Sequence, residues 1–431
     1  MDESLPANTF SSIDHTALPF VGRRRTLAWL HQNLTDSAQT HASALIGRRH
    51  IGKTALLRQF LAIADESMIS VAIPLRPMTF ARETEWLLYL IQITSAALTA
   101  RDYTMTRVAN PPAGAGTLRD WLRETYLPEI FRLIRPSRLV WLLDDADRLI
   151  NAVESGKLPD DSGRYLHELL EQHPFLRIVL TLDTAAEGRI DTLAPPINPT
   201  EVLRLTALSR EESRHLLQAW IEGLTTLPDD SLGAIYDLTG GQPQLLQRFG
   251  DHLFRFIRAQ PGTPTIKPDH VKQLIPAIYA ESEWEYKLMW NTLSRNERLI
   301  LTAVGSLAYA NPLRGSTADE VEAWLVETDY PLDTITIRAT IRSLEYREIV
   351  NSASGVKTSA GLMQKWLLEN ARLGAVEVEV EPVESRRRVL WVLALVLIVV
   401  AGLVAIIIVG NAPGQPTNPA LEPTVTLLGQ E

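Results

Sequence analysis

The chain has 431 residues, of which 45% are hydrophobic and 22% are charged, and this composition excludes a mainly disordered protein. Its length exceeds the size at which a single hydrophobic core stops growing, so two or three domains are expected. The formal net charge of −9 gives no overall electrostatic drive toward nucleic acid, and the lack of cysteine excludes disulfides, thiolate nucleophiles and cysteine-bound zinc.

After residues 1 to 17, which we expect to be disordered, short apolar runs alternate with amphipathic helical stretches. We predict strands at 44 to 46, 70 to 73, 139 to 143, 178 to 182 and 202 to 205. This alternation is typical of a parallel sheet with crossover helices, so residues 18 to 206 are predicted to form an α/β domain. From 207 to 283 the pattern becomes helical only and predicts a small lid domain.

A third domain is predicted from 284 to 371. Two capping boxes mark helix starts, each a Ser or Thr with a Glu three residues later: Ser294 with Glu297, and Thr317 with Glu320. The next helix has an apolar face formed by Ile337, Ile341 and Leu344. A hairpin with the turn Ser354-Gly355 follows it. Three short helices that end in a hairpin predict a winged-helix domain.

The C-terminal part contains 22 consecutive uncharged residues, 389 to 410, and sixteen of them are Val, Leu or Ile. At about 1.5 Å per residue, a helix of this length spans roughly 33 Å, which is enough to cross the core of a bilayer. A linker, 372 to 388, precedes it and ends in three arginines, whereas the tail, 411 to 431, has no Lys or Arg. The positive-inside rule therefore predicts a single-pass membrane protein with a cytoplasmic N-terminal part and a short extracytoplasmic tail.

Residues 47 to 54 read GRRHIGKT and match the G-x-x-x-x-G-K-[ST] spacing, between a predicted strand and a predicted helix. In such a loop, backbone N–H groups bind the β-phosphate at a helix N-terminus. Lys53 adds charge for the β- and γ-phosphates, and the hydroxyl of Thr54 is a predicted Mg²⁺ ligand. We predict that the whole loop binds nucleotide: Gly47, Arg48, Arg49, His50, Ile51, Gly52, Lys53, Thr54 and Ala55.

The second half of a nucleotide site should be an acidic residue at the end of an apolar strand, and LVWLLDDADR at 139 to 148 supplies it. Asp144 is predicted to lie at the carboxyl edge of the sheet and to hold Mg²⁺, directly or through water. Asp145 is predicted to orient or deprotonate the attacking water. A lone pair of aspartates is more often a solvated turn, but the phosphate-binding loop upstream favours the Mg²⁺ interpretation.

Four motifs in this order, followed by a winged helix, resemble a STAND-type P-loop ATPase of the archaeal-ATPase-like branch, related to AAA+ proteins: FVGRRR at 20 to 25, GRRHIGKT at 47 to 54, LLDD at 142 to 145 and TGGQP at 239 to 243. The resemblance covers roughly residues 18 to 371. It implies ATP as the nucleotide and homo-oligomers in the ATP state. It also implies that Phe20, Val21, Gly22 and Arg23 line the adenine end, and that Pro243 closes the pocket from the lid.

The chain departs from this family at two places. Arg24 stands where the family usually has Glu, and the segment TLDT at 181 to 184 stands where it often has an arginine. Thr181 is therefore a candidate sensor of the γ-phosphate. Hydrolysis is expected to be slow, because Asp145 is one methylene shorter than the Glu of AAA+ enzymes and no arginine finger can be identified from the sequence.

These features predict a membrane-tethered nucleotide switch with an unidentified protein partner and slow Mg²⁺-dependent hydrolysis. One alternative is a membrane-anchored DNA-binding regulator that uses Arg338, Arg342 and Arg347, although residues 284 to 371 contain nine Lys and Arg against eleven Asp and Glu. The other alternative is a scaffold that binds nucleotide without turnover.

Overall fold

The computed structural model of the protein describes residues 20–36, 40–103, 110–113, 115–193, 201–260, 265–310 and 314–371. The predicted N-terminal segment 1–17, linker 372–388, transmembrane helix 389–410 and tail 411–431 lie outside these residues and stay predictions. Within the described ranges, no helix is both long enough and apolar enough to cross a membrane.

A parallel sheet of five strands lies at the centre of the N-terminal part, in the order β2-β3-β4-β1-β5. The strands are β1 Ser43–Ile46, β2 Met68–Pro74, β3 Arg138–Asp144, β4 Leu176–Leu182 and β5 Val202–Arg204. Their ends differ from the predicted ones by at most two residues. Near-continuous apolar runs are what a parallel sheet covered on both faces requires, and this is why the runs predicted the strands so closely.

Helices cover both faces of this sheet. On one face, α1 Arg24–Thr35 and α2 Lys53–Ile63 pack against Val140 and Leu142 of β3. Trp141 points to the opposite face, because successive side chains of a strand alternate between the faces. That face is covered by α3 Glu83–Thr99, α4 Ala115–Trp121, a π-helical turn Leu122–Tyr126, α5 Leu127–Ile134, α6 Asp147–Glu154 and α7 Ser162–Gln172, and a 3₁₀ helix Thr184–Thr192 follows β4.

Four helices follow the sheet: α8 Arg210–Ile221, α9 Asp229–Thr239, α10 Pro243–Ala259 and α11 Pro268–Asn291. Gly240 and Gly241 end α9 with φ angles of +59° and +72°, a left-handed conformation that glycine adopts without steric cost. Pro243 then occupies the first turn of α10, where its missing N–H has no partner to lose. The motif TGGQP is therefore a tight turn between two helices of the lid.

The C-terminal unit, residues 292 to 371, contains α12 Arg295–Ala310, α13 Ala318–Glu327, α14 Thr334–Tyr346, a hairpin of β6 Val350–Asn351 and β7 Lys357–Thr358, and α15 Gly361–Asn370. Both predicted capping boxes form, and the predicted apolar face of α14 is buried. α11 runs without a break across the predicted boundary at 283/284, so the helices that follow the sheet extend to Asn291. A Cβ atom at Gly240 would lie 1.9 Å from the carbonyl oxygen of Ser359, which shows how closely the lid and the C-terminal unit pack.

Candidate nucleotide site

The loop between β1 and α2 wraps the N-terminus of α2. His50 and Gly52 have φ angles of 65° and 98°, and Gly52 is the residue immediately before the helix. A loop that curls in this way at a helix N-terminus presents backbone N–H groups and positive potential to an anion. The side chain of Ile51 is 2% exposed and packs into the core behind the loop, so it anchors the loop to the sheet.

Lys53 is buried and bonded to its own loop. Its Nζ donates to the carbonyl oxygens of Gly47 at 2.5 Å and Arg48 at 3.1 Å. Burial lowers the pKa of Lys53, whereas the negative charges of Asp183 and Asp145 act in the opposite direction. Phosphate oxygens on this loop would accept from the same ammonium group.

Asp144, Thr54 and Thr181 meet at the carboxyl edge of the sheet. Thr54 Oγ1 donates to Asp144 Oδ2 at 2.6 Å, and Thr181 Oγ1 donates to Asp144 Oδ1 at 2.6 Å. Thr181 also accepts from the backbone N of Asp145 at 2.9 Å. Thr181, the candidate γ-phosphate sensor, is fully buried and directs its hydroxyl at Asp144, so in this structure it orients that carboxylate.

The oxygen atoms of Thr54 and Asp144 fit Mg²⁺. Thr54 Oγ1 and Asp144 Oδ2 are 2.6 Å apart, close to the spacing of about 2.9 Å between neighbouring ligands in an octahedron with Mg²⁺–O bonds of about 2.05 Å. In the part of the chain that the structure describes, no group of three or more His, Asp and Glu side chains could hold a metal ion. A bound Mg²⁺ would therefore take its other ligands from phosphate and water.

Asp145 has a backbone and an environment that differ from those of Asp144. Its φ angle is 60°, and its side chain is half-buried. Burial raises the pKa of Asp145, and the charges of Asp144 and Asp147 raise it further, against the opposing charges of Lys53 and Arg76. A carboxylate with a raised pKa is a better proton acceptor near neutral pH, which suits a general base.

A cleft of about 1850 Å³ opens beside the loop. Its lining includes four predicted adenine-end residues and the P-loop arginine: Phe20, Val21, Gly22, Arg23 and Arg48. Gln242 from the lid lines it, but the neighbouring Pro243 does not. The cleft is larger than the roughly 300–1,000 Å³ of a typical small-molecule site, because it lies between the sheet domain, the lid and the C-terminal unit.

The phosphate-end residues lie outside this cleft, since Lys53, Thr54 and Asp144 are not among its lining residues. The cleft therefore corresponds to the predicted base end of the site only. We place the phosphate end by the hydrogen bonds of Lys53 and Asp144.

Arg23, immediately before α1, connects residues 20 to 23 to the P-loop and to the lid. Its backbone N donates to Glu212 Oε1 at 3.2 Å, and its guanidinium donates to the carbonyl oxygens of Ile51 at 3.3 Å and of Thr206. Glu212 also forms the capping box of α8 with Ser209. Glu212 was not a predicted site residue, although the Ser-x-x-Glu spacing marks it as the start of a helix.

Arg48 links the P-loop to the C-terminal unit. Its Nη1 donates to the carbonyl oxygen of Glu348 at 2.8 Å, 300 residues further along the chain. The carboxylate of Glu348 in turn accepts from the backbone N of Ala207 at 3.3 Å. Nearby, the guanidinium of Arg204 stacks on the ring of Tyr346, with 3.2 Å from Cζ to the ring centroid. The turn after α14 therefore contacts both the P-loop and the start of the lid.

The remaining predicted loop residues differ in exposure. Arg49 and Ala55 are exposed, whereas His50 is half-buried. Burial and the positive charges of Arg49 and Arg76 lower the pKa of His50 to about 4. Within the described residues, its buried Nε2 has no hydrogen-bond partner. His50 is therefore neutral near pH 7 and adds no positive charge to the site.

Two solved structures resemble this chain over most of its length. The Walker-type ATPase PABY2304 of Pyrococcus abyssi is 17% identical, with 81% of this chain and 96% of that chain covered and a TM-score of 0.56, so the two share a fold. The ORC2 protein of Aeropyrum pernix is 14% identical, with 84% of this chain and 98% of that chain covered and a TM-score of 0.43. No curated protein matches the sequence.

A family model described as an ATPase domain predominantly from Archaea matches residues 20–249, which is more than half of the chain. The match begins at Phe20, which lines the cleft, and ends within α10 of the lid. It therefore includes the P-loop, Asp144 and the turn before Pro243. Because of this match, the chain belongs to the family of ATPase domains found predominantly in Archaea.

Proposed function

We propose that the chain is a membrane-tethered, ATP-dependent switch of the STAND type that hydrolyses ATP slowly with Mg²⁺. The observation that carries the proposal is the contact of Thr54 with Asp144 beside Lys53, at the edge where α/β sheets bind ligands. The tether is the apolar segment 389–410, with the ATPase part on the cytoplasmic side. Oligomers in the ATP state and a protein partner belong to the same proposal.

Each residue of the site has a proposed role toward the triphosphate, the Mg²⁺ or the attacking water. Loop amides and Lys53 bind the β- and γ-phosphates, while Thr54 and Asp144 hold Mg²⁺. When bound, Mg²⁺ neutralises charge on the phosphate oxygens. Asp145 accepts the proton of the attacking water, and Thr181 keeps the carboxylate of Asp144 turned toward Thr54.

The proposed switch runs through two adjacent contacts of the P-loop. Lys53 donates to the carbonyl oxygen of Arg48, and the guanidinium of Arg48 donates to Glu348 in the C-terminal unit. A triphosphate that binds Lys53 competes with its bond to the carbonyl oxygen of Arg48. This alters the position of Arg48, and therefore its bond to Glu348. Since a ligand shifts an equilibrium only by its differential affinity for two states, this link is where the nucleotide acts on the C-terminal unit.

We also propose that the C-terminal unit is a winged helix that contacts protein rather than DNA. The order of α12, α13 and α14 followed by the hairpin of β6 and β7 supports this fold assignment. One arginine of the predicted DNA-binding cluster, Arg347, is bonded to Glu297 at 3.1 Å and to Thr292 at 3.0 Å. Only Arg338 and Arg342 of that cluster are exposed, which leaves too little positive charge to favour a nucleic-acid site.

Lys53→Ala tests nucleotide binding. We expect the affinity for ATP to fall by roughly tenfold or more, because a hydrogen bond to a charged group contributes about 1.5–3 kcal/mol. Isothermal titration calorimetry on the full-length chain in detergent measures this. Lys287→Ala, an exposed lysine on α11, is the matched control. If Lys53→Ala binds ATP as tightly as the parent, the proposed function is wrong.

Arg48→Ala tests the switch. We expect ATP to bind still, since the loop holds phosphate mainly through its backbone. The effect of ATP on amide hydrogen exchange at residues 345–350 should disappear, because the variant lacks the bond to Glu348. Hydrogen exchange with and without ATP measures this, with the exposed Arg49→Ala as control. An unchanged ATP effect in Arg48→Ala would contradict the proposed coupling.

A further inference from the structure

Arg76 stands at the carboxyl edge of the sheet, next to the strand end that carries Asp144. Pro74 of β2 lies opposite Asp144 of β3, and the backbone N of Leu75 donates to the carbonyl oxygen of Asp144 at 3.0 Å. Leu75 is fully buried, and the backbone N of Met78 closes a turn onto its carbonyl oxygen at 3.0 Å. Arg76 therefore lies in an anchored turn, and its side chain is exposed.

Arg76 follows the carboxyl end of β2, and the P-loop follows the carboxyl end of β1. β3 and β4 separate β2 from β1 in the sheet, yet the charge of Arg76 acts on His50 in the loop that follows β1. Because the strands are parallel, the residues that follow β1, β2 and β3 all lie at the carboxyl edge of the sheet, so Arg76 is at the same edge as Asp144 and the P-loop.

Arg76 also has no hydrogen-bond or ion-pair partner among the residues that the structure describes. Three other arginines near the site are engaged by the protein itself, Arg23 with Thr206, Arg48 with Glu348 and Arg248 with Glu285, whereas the exposed Arg49 lies in the P-loop. An exposed arginine keeps its charge and all five N–H donors at any physiological pH. Arg76 is thus free to bind an anion at this edge.

From this placement we propose that Arg76 is a catalytic residue whose guanidinium donates hydrogen bonds to the γ-phosphate of ATP, on the side of the phosphate away from α2. The inference rests on the proposed function, because it requires ATP on the P-loop. It supplies within the same chain the arginine that the segment 181–184 lacks.

The role follows from the charge changes during hydrolysis. The oxygen of water forms a bond to the γ-phosphorus, and the bond from that phosphorus to the bridging oxygen breaks. The electron pair of that bond leaves with ADP, and the proton of the water passes to Asp145. Negative charge then increases on the bridging oxygen, so a guanidinium held on the γ-phosphate next to this oxygen stabilises the transition state more than the ground state.

The test compares nucleotides that differ in the γ-phosphate. In Arg76→Ala of the full-length chain, we expect AMP-PNP, a non-hydrolysable ATP analogue, to bind about tenfold more weakly while ADP binds as in the parent. Phosphate release should fall at least about tenfold, because arginines of this kind contribute up to 10³–10⁵ in rate. Arg76→Lys should recover part of the AMP-PNP affinity, since it keeps the charge but not the planar donors.

Arg82→Ala is the matched control, because Arg82 is an exposed arginine in the same connection between β2 and α3 and pairs with Glu85 at 3.6 Å. It should leave the affinities for both nucleotides unchanged. An equal loss of AMP-PNP and ADP affinity in Arg76→Ala, or no loss, would overturn the proposal for Arg76. If the parent binds neither nucleotide, or if Lys53→Ala binds both normally, the proposed function fails instead.

Discussion

Replacing Asp145 with Asn is expected to lower steady-state phosphate release by roughly 10²- to 10⁴-fold while ATP still binds, because an amide cannot accept the proton of the attacking water. The substitution changes little else. Asp145 has a left-handed backbone with a φ angle of 60°, and Asn is one of the residues that tolerate this conformation. The loss is therefore attributable to the carboxylate and not to the backbone.

The matched control is Asp147→Asn, at the first residue of α6, since Asp147 contributes charge to the same region without lying at the strand end. It should retain most of the turnover. Phosphate release and ATP affinity are measured on the same full-length preparations. Equal turnover in the parent and in Asp145→Asn would rule out Asp145 as the base. A parent with no turnover would favour the scaffold that binds nucleotide without hydrolysis.

Replacing Trp141 with Ala is expected to destabilise the sheet domain by about 3–5 kcal/mol, because it removes a large side chain from a closely packed core. Trp141 is fully buried in the middle of β3, three residues before Asp144. Its Nε1 donates to Thr94 Oγ1 of α3 at 3.1 Å. The variant therefore leaves a cavity and also removes a buried hydrogen bond between the sheet and α3.

Urea denaturation of the full-length chain, followed by circular dichroism, gives the change in the free energy of unfolding. Trp284→Ala is the control, because Trp284 is 51% exposed on α11 and its removal creates no internal cavity. We expect this control to change stability by less than about 0.5 kcal/mol. A loss below about 1 kcal/mol for Trp141→Ala would mean that the core around β3 refills the space, contrary to our expectation.

The features that could be predicted from the sequence depend on neighbouring residues. A buried parallel strand reads as an unbroken apolar run, as at 139 to 143, and the P-loop is defined by the spacing of Gly47, Gly52 and Lys53. The capping boxes at Ser294 and Thr317 likewise need only a partner three residues away. Such local patterns were sufficient to place the sheet, the loop and Asp144.

The features that could not be predicted depend on residues far apart in the chain. The carbonyl oxygen of Glu348 accepts from Arg48, but every residue has a carbonyl group, so no side-chain pattern marks this acceptor. The bond of Arg23 to Glu212 joins residues that are 189 positions apart. The position of Arg76 could not be predicted for the same reason, because only the register of β2 on β3 places it beside Asp144.

α11 can transmit a movement of the lid to the C-terminal unit. With 24 residues it is about 36 Å long, and Glu285, six residues before its C-terminal end, pairs with Arg248 of α10 in the lid. At its far end, Trp290 packs on Trp366 of α15 with ring centroids 5.7 Å apart. Pro276 lies inside this helix and removes one of its backbone hydrogen bonds, so the helix bends most easily there. A bend of about 10° at Pro276 would displace the end of the helix, about 22 Å further on, by about 4 Å.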